Sequence, residues 1–289
     1  MLDIDTVRRW NFGSLTQTYS ERDTMLYALA VGFGENPSNQ ADLAFVFEKN
    51  LKAVPSMASI LCSPGGWYGN PRTGIDISKV VHGEQDITIL RPLPASGSLT
   101  AHARVTAIVD KGPGKGAILE IQRDLIGSDG SAVARIRHIA FCRAEGGCYG
   151  NRPQTDRIEP LPGVPERTPD FVVDMPTLPQ SALIYRLLGD YNPLHVDPAY
   201  AKGAGYDRPI LHGLCVFGMA TRTVLTTFCG HDAHRVKRMS ARFSAPTFPG
   251  EVLQVRMWRE AADVVQLQVT VPERGVTVLA NGRFEIAPI

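Results

Sequence analysis

The chain has 289 residues, which is enough for one large domain or two of ordinary size. Hydrophobic residues make up 44% and charged residues 20%, as in an average soluble globular protein. The 30 Lys and Arg residues against 29 Asp and Glu give a net charge of +1 without a long basic stripe, so nucleic acid is not an expected partner.

The sequence indicates neither a membrane span nor an exported protein. Its longest apolar runs, 25–33 and 211–219, are much shorter than the ~20 residues that cross a bilayer. The N-terminal MLDIDTVRRW lacks a signal-peptide core, and the C-terminal EIAPI is not a peroxisomal address. Five cysteines without a CxxC pair predict reduced thiols, with no zinc site and no disulfides. We therefore expect a cytoplasmic protein with no membrane partner.

The first half predicts a helix, a short apolar segment and then a sheet. Ser20 or Asp23 can cap a helix whose apolar residues recur at helical spacing over 25–30. An apolar segment at 54–62 and a Gly/Pro loop at 65–71 follow. Four strand-like runs come next, separated by Pro- and Gly-rich turns: 84–91, 98–110, 116–126 and 132–142.

The second half repeats this order. A helix-like segment at 179–193 precedes a second one at 212–228, which is apolar on nearly every side. Four strand candidates then follow: 236–245, 252–260, 264–271 and 277–286. A helix that is apolar all round must be buried on all sides, and a sheet of four or five strands wrapped around it achieves this. We predict an α+β double hot dog, two antiparallel sheets each wrapped around a long helix, over the alternative of one irregular domain.

A linker is predicted between the two halves. The segment NRPQTDRIEPLPGVPERTP, residues 151–169, is rich in proline and charge, a composition typical of linkers. We therefore expect an N-terminal hot-dog half at 1–150 and a C-terminal half at 170–289.

Three residues that could carry chemistry fall in one short segment, GDYNPLHVDP: Asp190, Asn192 and His195. Gly189 is a usual helix C-cap residue, and Pro193 and Pro198 should keep the loop extended and rigid. A rigid loop with a carboxylate, an amide and an imidazole suits chemistry in which one group takes a proton from water and another supplies one to carbon. The alternative is an Asx-turn beside a core or surface histidine.

The pair His212-Gly213 leads into the apolar helix. Gly213 would present a backbone N–H at the helix N-terminus, where the dipole favours negative charge. A thioester carbonyl placed there would be stabilised as it becomes enolate-like. A glycine needed only for close packing is the alternative, and the two interpretations are compatible.

The motif GDYNPLHVDP, followed by PILHGLCVFGMA, resembles the signature of the (R)-specific 2-enoyl-CoA hydratases, or hydratase 2, of the MaoC-like group. The segments MLYALAVGFG, KVVHGEQDITILRPLP and ARFSAPTFPGE are similar to the hydratase 2 part of the peroxisomal multifunctional β-oxidation enzyme, so the resemblance covers nearly the whole chain. It implies the double hot dog fold. The fused dehydrogenase and peroxisomal address of the eukaryotic relatives are not seen, so we expect a free-standing bacterial cytoplasmic enzyme.

The resemblance implies a role for each matching residue. Asp190 and His195 match the catalytic pair, and Asn192 matches the amide that helps order the site. Gly213 matches the residue whose N–H receives the thioester oxygen. Contacts with the acyl-CoA are implied for seven more residues: His82, Gly83, Lys111, Tyr191, Pro193, Leu194 and Phe243. Lys111 can pair with a CoA phosphate or be a solvated turn lysine, and Phe243 could equally be core.

These features predict the hydration of trans-2-enoyl-CoA to (3R)-3-hydroxyacyl-CoA in fatty-acid metabolism, by a homodimer that needs no metal or redox cofactor. The first half has Asn36-Pro37 but no matching Asp or His, so it should shelter the acyl chain and leave one site per chain. The alternatives are a dehydratase of fatty-acid or polyketide synthesis, a hydratase of short dicarboxylic or steroid-derived acyl-CoA, a hot-dog thioesterase and a non-catalytic acyl-CoA-binding module. The 190–195 motif counts against the last two.

Overall fold

The computed structural model describes residues 1–288, which contain ten strands in one antiparallel sheet. The strand order is β1-β3-β4-β5-β2-β7-β10-β9-β8-β6. The strands of the first half are β1 Ser14–Tyr19, β2 Val80–Ile89, β3 Gly97–Asp110, β4 Ala117–Gly127 and β5 Ala132–Cys142. Those of the second half are β6 Phe171–Pro176, β7 Val236–Phe243, β8 Val252–Ala261, β9 Val264–Val271 and β10 Val276–Ile286.

Six α-helices accompany the sheet: α1 Ile4–Arg8, α2 Glu21–Ala30, α3 Leu43–Val46, α4 Ser181–Tyr185, α5 Pro198–Gly203 and α6 Gly213–Phe228. Short 3-10 helices fill many of the connections: Pro55–Ser59, Trp67–Gly69, Pro71–Thr73, Ile77–Lys79, Arg186–Leu188, Pro193–His195, Ala233–Arg235 and Pro272–Arg274. Helix α2 begins with the predicted cap, because the Ser20 and Asp23 side chains exchange hydrogen bonds with each other's backbone N–H groups. Among residues 1–288, no helix combines the length and apolarity needed to cross a membrane.

The two halves of the sheet have the same topology. From its outer edge to the centre, the first half runs β1-β3-β4-β5-β2, and the second runs β6-β8-β9-β10-β7 in the same relative order. The halves join where β2 pairs with β7, with Glu84 opposite Arg242 and Thr88 opposite Arg238. The predicted α+β double hot dog is confirmed, and its two sheets are continuous across this central pair.

Helix α6 is the one long buried helix in the described chain, and its burial follows from its sequence. Eleven of its 16 residues are buried, including Phe217, Val224 and Leu225, because it is apolar on nearly every side. In the corresponding place, between α2 and β2, the first half has only the five-residue 3-10 helix Pro55–Ser59. The sheet of the first half is therefore not wrapped around a long helix, which is a departure from the predicted detail.

All eight predicted strands are present with ends within a few residues of the expected ones, and the two unpredicted strands lie at the sheet edges. Strands β1 and β6 are mostly exposed or half-buried, so they lack the alternation of apolar and polar residues that marks a half-buried strand. Residues 151–169 form no helix or strand, although Asp156 accepts a hydrogen bond from the Ile108 backbone at 2.8 Å. The division into domains at this segment stays a prediction.

Ion pairs hold the register where the two halves meet. The buried carboxylate of Asp86 on β2 accepts hydrogen bonds from Arg238 on β7 at 2.7 Å and from Arg137 on β5 at 3.4 Å. Because three neighbouring strands share one carboxylate, a slip of either interface would leave that charge unpaired inside the protein.

We predict that Gly218→Ala destabilises the protein. A Cβ atom at this α6 position would lie 2.5 Å from Val31 Cγ1 and 2.9 Å from the Tyr27 hydroxyl, so the helix and its neighbour must separate. The expected loss in the free energy of unfolding is about 1–3 kcal/mol, as for other overpacked cores. Gly203→Ala is the matched control, because Gly203 also lies in a helix and has open space around its Cβ position. Equal unfolding free energies for the two variants in a denaturant titration would contradict this packing.

Candidate active site

The loop that follows α4 is held in shape by its own side chains. Gly189 ends the turn 186–188 with a φ of 116°, a left-handed conformation that suits glycine. The Asp190 carboxylate then accepts a hydrogen bond from the Asn192 backbone N–H at 3.2 Å. The Asn192 side-chain oxygen accepts one from the Leu194 N–H at 3.0 Å, which caps the next helical turn. Asn192 therefore orders the loop through local capping.

The prolines of this loop act differently from the prediction. An extended chain was expected between Pro193 and Pro198, but each proline is the first residue of a helix: the 3-10 turn Pro193–His195 and α5. Proline is favoured at that position because its fixed φ is helical and its missing N–H would have had no partner there. Only the preceding residues, Asn192 and Asp197, are extended, with ψ of 124° and 113°. The loop is rigid, but it is compact rather than extended.

His195 is buried and has one defined tautomer. Its Nδ1–H donates to the carbonyl oxygen of Ile210 at 2.8 Å, since a carbonyl can only accept. Burial lowers the pKa of His195 below its ordinary value of 6.5, so the ring is neutral at pH 7. In the neutral ring, Nε2 then carries the free lone pair. This nitrogen is able to accept a proton from water.

A second imidazole, His212, stacks on the first. The ring centroids of His195 and His212 are 3.6 Å apart, at an interplanar angle of 24°. The His212 Nε2–H donates to the Asp190 backbone carbonyl at 3.3 Å, so this ring ties the loop to the start of α6. Burial, and after it the neighbouring His195, lowers the pKa of His212 to about 4. The sequence pattern marked His212 only as a helix start, and its place against His195 was not predicted.

Tyr185 packs behind the two imidazoles and was also missed. Its ring lies 4.9 Å from that of His212 and 6.1 Å from that of Tyr27, between centroids. The Tyr185 hydroxyl is enclosed and has no hydrogen-bond partner among residues 1–288. Burial raises the pKa of Tyr185 well above its ordinary value of 10, so the hydroxyl stays protonated. Nothing in the local sequence distinguished it from an ordinary core tyrosine.

One carboxylate and two imidazoles meet at the centre of the site. Their side-chain nitrogen and oxygen atoms lie within 4.8 Å of one another: Asp190, His195 and His212. These residue types also occur in metal sites. Each ring, however, already donates one N–H to a backbone carbonyl and keeps one free nitrogen. An exposed carboxylate beside two buried neutral rings is also an arrangement that can serve in proton transfer.

The N-terminus of α6 forms one wall of the site. Gly213 is the first residue of α6, so its N–H has no partner within the helix. It lies at the positive end of the helix dipole, where negative charge is stabilised. A Cβ atom at Gly213 would lie 2.9 Å from Cδ1 of Phe243 at the end of β7. Glycine is therefore required here, and its N–H lies beside the His212 ring that stacks on His195.

The first half contributes β2 to the same place. The His82 ring lies 4.5 Å from Phe243, edge to face, and 4.0 Å from His138 on β5. Gly83 forms the bulge in β2, where a Cβ atom would lie 3.2 Å from the Ile139 carbonyl oxygen. Burial lowers the pKa of His82 to about 4, and the Asp190 carboxylate partly opposes this. The structure thus brings His82, Gly83, Gly213 and Phe243 together.

The remaining predicted contacts lie around the rim or farther away. Tyr191 is exposed, with the Arg186 guanidinium 5.0 Å above its ring, and Pro193 is exposed and Leu194 half-buried on the same loop. Lys111 is exposed in the turn between β3 and β4, at the same end of the sheet as His82. The three strand spacings from β3 to β2 put that turn roughly 14 Å from β2. The contacts of these four residues with a ligand stay predictions.

Each half of the chain matches the model of a known protein family. The family model of the MFE-2 hydratase 2 N-terminal domain matches residues 17–144, and that of the MaoC-like domain matches residues 161–281. Enoyl-CoA hydratase 2, peroxisomal, of Arabidopsis thaliana is 38% identical over 91% of this chain and 89% of its own. The 3-hydroxyacyl-thioester dehydratase Y of Mycobacterium tuberculosis is 40% identical over 83% of this chain and 82% of its own. The chain belongs to the MaoC-like hydratase 2 family.

Other family members agree in length and fold to different extents. Mouse peroxisomal multifunctional enzyme type 2 is 34% identical over 95% of this chain, which spans only 37% of the mouse protein. The crystal structure of a MaoC-like dehydratase from Phytophthora capsici superposes with a TM-score of 0.87 at 35% identity, covering all of both chains. The whole of this MaoC-like protein therefore has a counterpart among solved structures of its family.

We predict that acid destabilises this protein through its buried neutral histidines. An unfolded His82 binds a proton below pH 6.5, whereas the folded one binds it only near pH 4. The unfolded state therefore binds more protons between these values, and the free energy of unfolding falls as the pH is lowered, by about 3 kcal/mol for His82 alone. Thermal melts from pH 7.5 to pH 4 measure this. His82→Asn should flatten the pH dependence of Tm, and the exposed-site control His102→Asn should not. The same slope in both variants would contradict the assignment.

Proposed function

We propose that this protein hydrates trans-2-enoyl-CoA to (3R)-3-hydroxyacyl-CoA at a single site per chain. The observation that carries the proposal is the neutral His195 ring, which has a free Nε2 and lies beside the Asp190 carboxylate and the N-terminus of α6. The names of the Arabidopsis and mouse relatives support the same reaction class, a hydro-lyase of fatty-acid metabolism.

The proposed reaction moves one water molecule across the double bond. A water held between Asp190 and His195 attacks C3 while His195 Nε2 takes its proton. The electron pair of the double bond moves towards the thioester, and the Gly213 N–H stabilises the resulting enolate oxygen. The imidazolium, stabilised by the Asp190 carboxylate, then returns a proton to C2 on the same face. The atoms balance with no metal or redox cofactor, because the thioester itself acidifies C2.

The division of labour between the halves is part of this proposal. We assign residues 1–150 to binding of the acyl-CoA, 151–169 to the linker and 170–289 to catalysis. Support comes from His82 and Gly83 beside Phe243 and from the short helix of the first half, in whose place an acyl chain would lie. On this proposal, Tyr191, Pro193 and Leu194 line the mouth of the site, and Lys111 pairs with a CoA phosphate.

The reverse reaction is the second candidate, supported by the 40% identity with a relative named 3-hydroxyacyl-thioester dehydratase Y. The same groups serve both directions, since each step of the proposed mechanism is reversible. The direction in the cell depends on which thioester is supplied. We also propose a homodimer in the cytoplasm. Five free thiols fit a reducing compartment, and the exposed Phe171 and Val172 on edge strand β6 offer an apolar edge for a second copy.

The reaction is tested with trans-2-enoyl-CoA and three readouts. Hydration should remove the absorbance of the conjugated enoyl thioester without releasing free thiol, and a chelator should leave the rate unchanged. Because one loop supplies both Asp190 and His195, water and proton should arrive on one face, and a (3R)-specific dehydrogenase should oxidise the product. Thiol release would instead identify a thioesterase, and no change in either signal would indicate a binding module. Oxidation by a (3S)-specific dehydrogenase alone would contradict the site geometry.

The acid–base assignment is tested by substitution. Asp190→Asn and His195→Gln should each lower kcat by ~10²–10⁴-fold, the usual effect of losing a general acid or base. The double variant should be little worse than the worse single variant, because groups that act on one water are not additive. The control is Asp197→Asn, which lies in the same loop but caps α5 and so should keep the wild-type kcat. Wild-type turnover in either single variant would exclude that residue from the chemistry.

A further inference from the structure

The first half buries an arginine that has no acidic partner. Arg123 on β4 is 6% exposed, and among residues 1–288 no carboxylate forms an ion pair with it. Its Nη2 donates to the Ser59 carbonyl oxygen at 2.7 Å, while its Nε is enclosed without a hydrogen-bond partner. Burial lowers the pKa of Arg123 to about 10, so the guanidinium is still charged at neutral pH. A buried charge without a partner is strongly unfavourable, which indicates that a ligand binds the Arg123 guanidinium.

Arg123 lies between two apolar clusters. It shares the inner face of β4 with Ile121 and Leu125, because alternate strand residues point the same way. Ile121 belongs to a cluster with the N-terminal helix α1, whereas Leu125 belongs to the main core around α6. Ser59, the partner of Arg123, ends the short 3-10 helix that replaces a long helix in this half. The charged group therefore lies against the end of this short helix.

Arg123 lies beyond the candidate active site as seen from the Lys111 turn. Strand pairing places His82 level with Leu119 on β4, and Arg123 four residues further on, roughly 13 Å along the strand. The rings of His82, His138 and Tyr68 bridge part of this distance, with centroids 4.0 Å and 6.5 Å apart. A chain attached to a thioester at Gly213 that passes His82 would therefore run towards the guanidinium.

We propose that Arg123 binds a carboxylate on the far part of the acyl chain, so that the preferred substrates are 2-enoyl-CoA thioesters of dicarboxylic acids. This rests on the proposed function, because it assumes that the acyl chain enters the first half. The Nε and Nη1 groups of this guanidinium have no hydrogen-bond partner among residues 1–288, and a carboxylate is an acceptor to which a guanidinium donates strong, charge-assisted hydrogen bonds. A purely hydrocarbon chain would leave the charge buried and unpaired.

The test compares two trans-2-enoyl-CoA substrates of equal carbon number, one ending in a carboxylate and one in a methyl group. The wild-type protein should have the higher kcat/KM for the carboxylate substrate. Arg123→Met should lower that kcat/KM by ~10–100-fold through a higher KM, as expected for the loss of hydrogen bonds to a charged group. For the methyl substrate, the same variant should have an unchanged or higher kcat/KM. Arg123→Lys should have a kcat/KM for the carboxylate substrate between those of the wild type and Arg123→Met. Arg104→Met is the control, since Arg104 is an exposed arginine on the neighbouring strand that pairs with Asp124.

Each other outcome has a definite meaning. A wild-type preference for the methyl substrate that Arg123→Met leaves unchanged would make Arg123 a structural residue and overturn the proposal. An equal rise in KM for both substrates would place the contact on the CoA part and overturn it as well. If neither substrate is hydrated, the proposed function fails, and the Kd ratio of the corresponding saturated acyl-CoA pair, measured by calorimetry, decides the role of Arg123 separately. If Arg123→Met does not fold, the substrate ratios of the wild type and Arg123→Lys decide.

Discussion

The antiparallel pairing of β2 with β7 is the contact on which the candidate site depends. It joins two sheets of identical topology edge to edge and brings His82 of the first half against Phe243 of the second. A slip of one residue would put these two side chains on opposite faces of the sheet and would separate His82 from Phe243. The shared carboxylate of Asp86, paired with Arg238 across this interface, makes such a slip unfavourable. Register at the centre of the sheet is therefore a condition for the chemistry at its end.

Burial gives the two imidazoles a single chemical state. A histidine in water at pH 7 exchanges between two neutral tautomers and a cation. Here the carbonyls of Ile210 and Asp190 each fix which nitrogen carries the proton, and desolvation disfavours the cation on both rings. The same burial that prepares His195 to accept a proton also makes the folded state sensitive to acid. Reactivity of the site and loss of stability at low pH thus have one physical origin.

The parts of this structure that depend on local sequence pattern could be predicted from the sequence. Alternating strands, the cap at Ser20 and the grouping of Asp190 with His195 were predictable, because neighbouring residues determine them. The position of His212 was not, because its stacking depends on how the 190–195 loop crosses the start of α6. Some errors were avoidable: the helical start at Pro193 follows from a known preference of proline for the first helical position. Arg123 falls in an ordinary strand pattern, and only the fold reveals that it lacks an acidic partner.

The difference between the two halves explains why a repeated fold has one candidate site. A long central helix in both halves would fill both inner faces and leave no room for an acyl chain. A short helix in both would remove the N-terminus that presents Gly213. The chain combines the 16-residue α6 in one half with the five-residue turn Pro55–Ser59 in the other. On the proposed function, the acyl chain takes the place of the shortened helix, and the buried charge of Arg123 in this half does not favour a purely hydrocarbon chain.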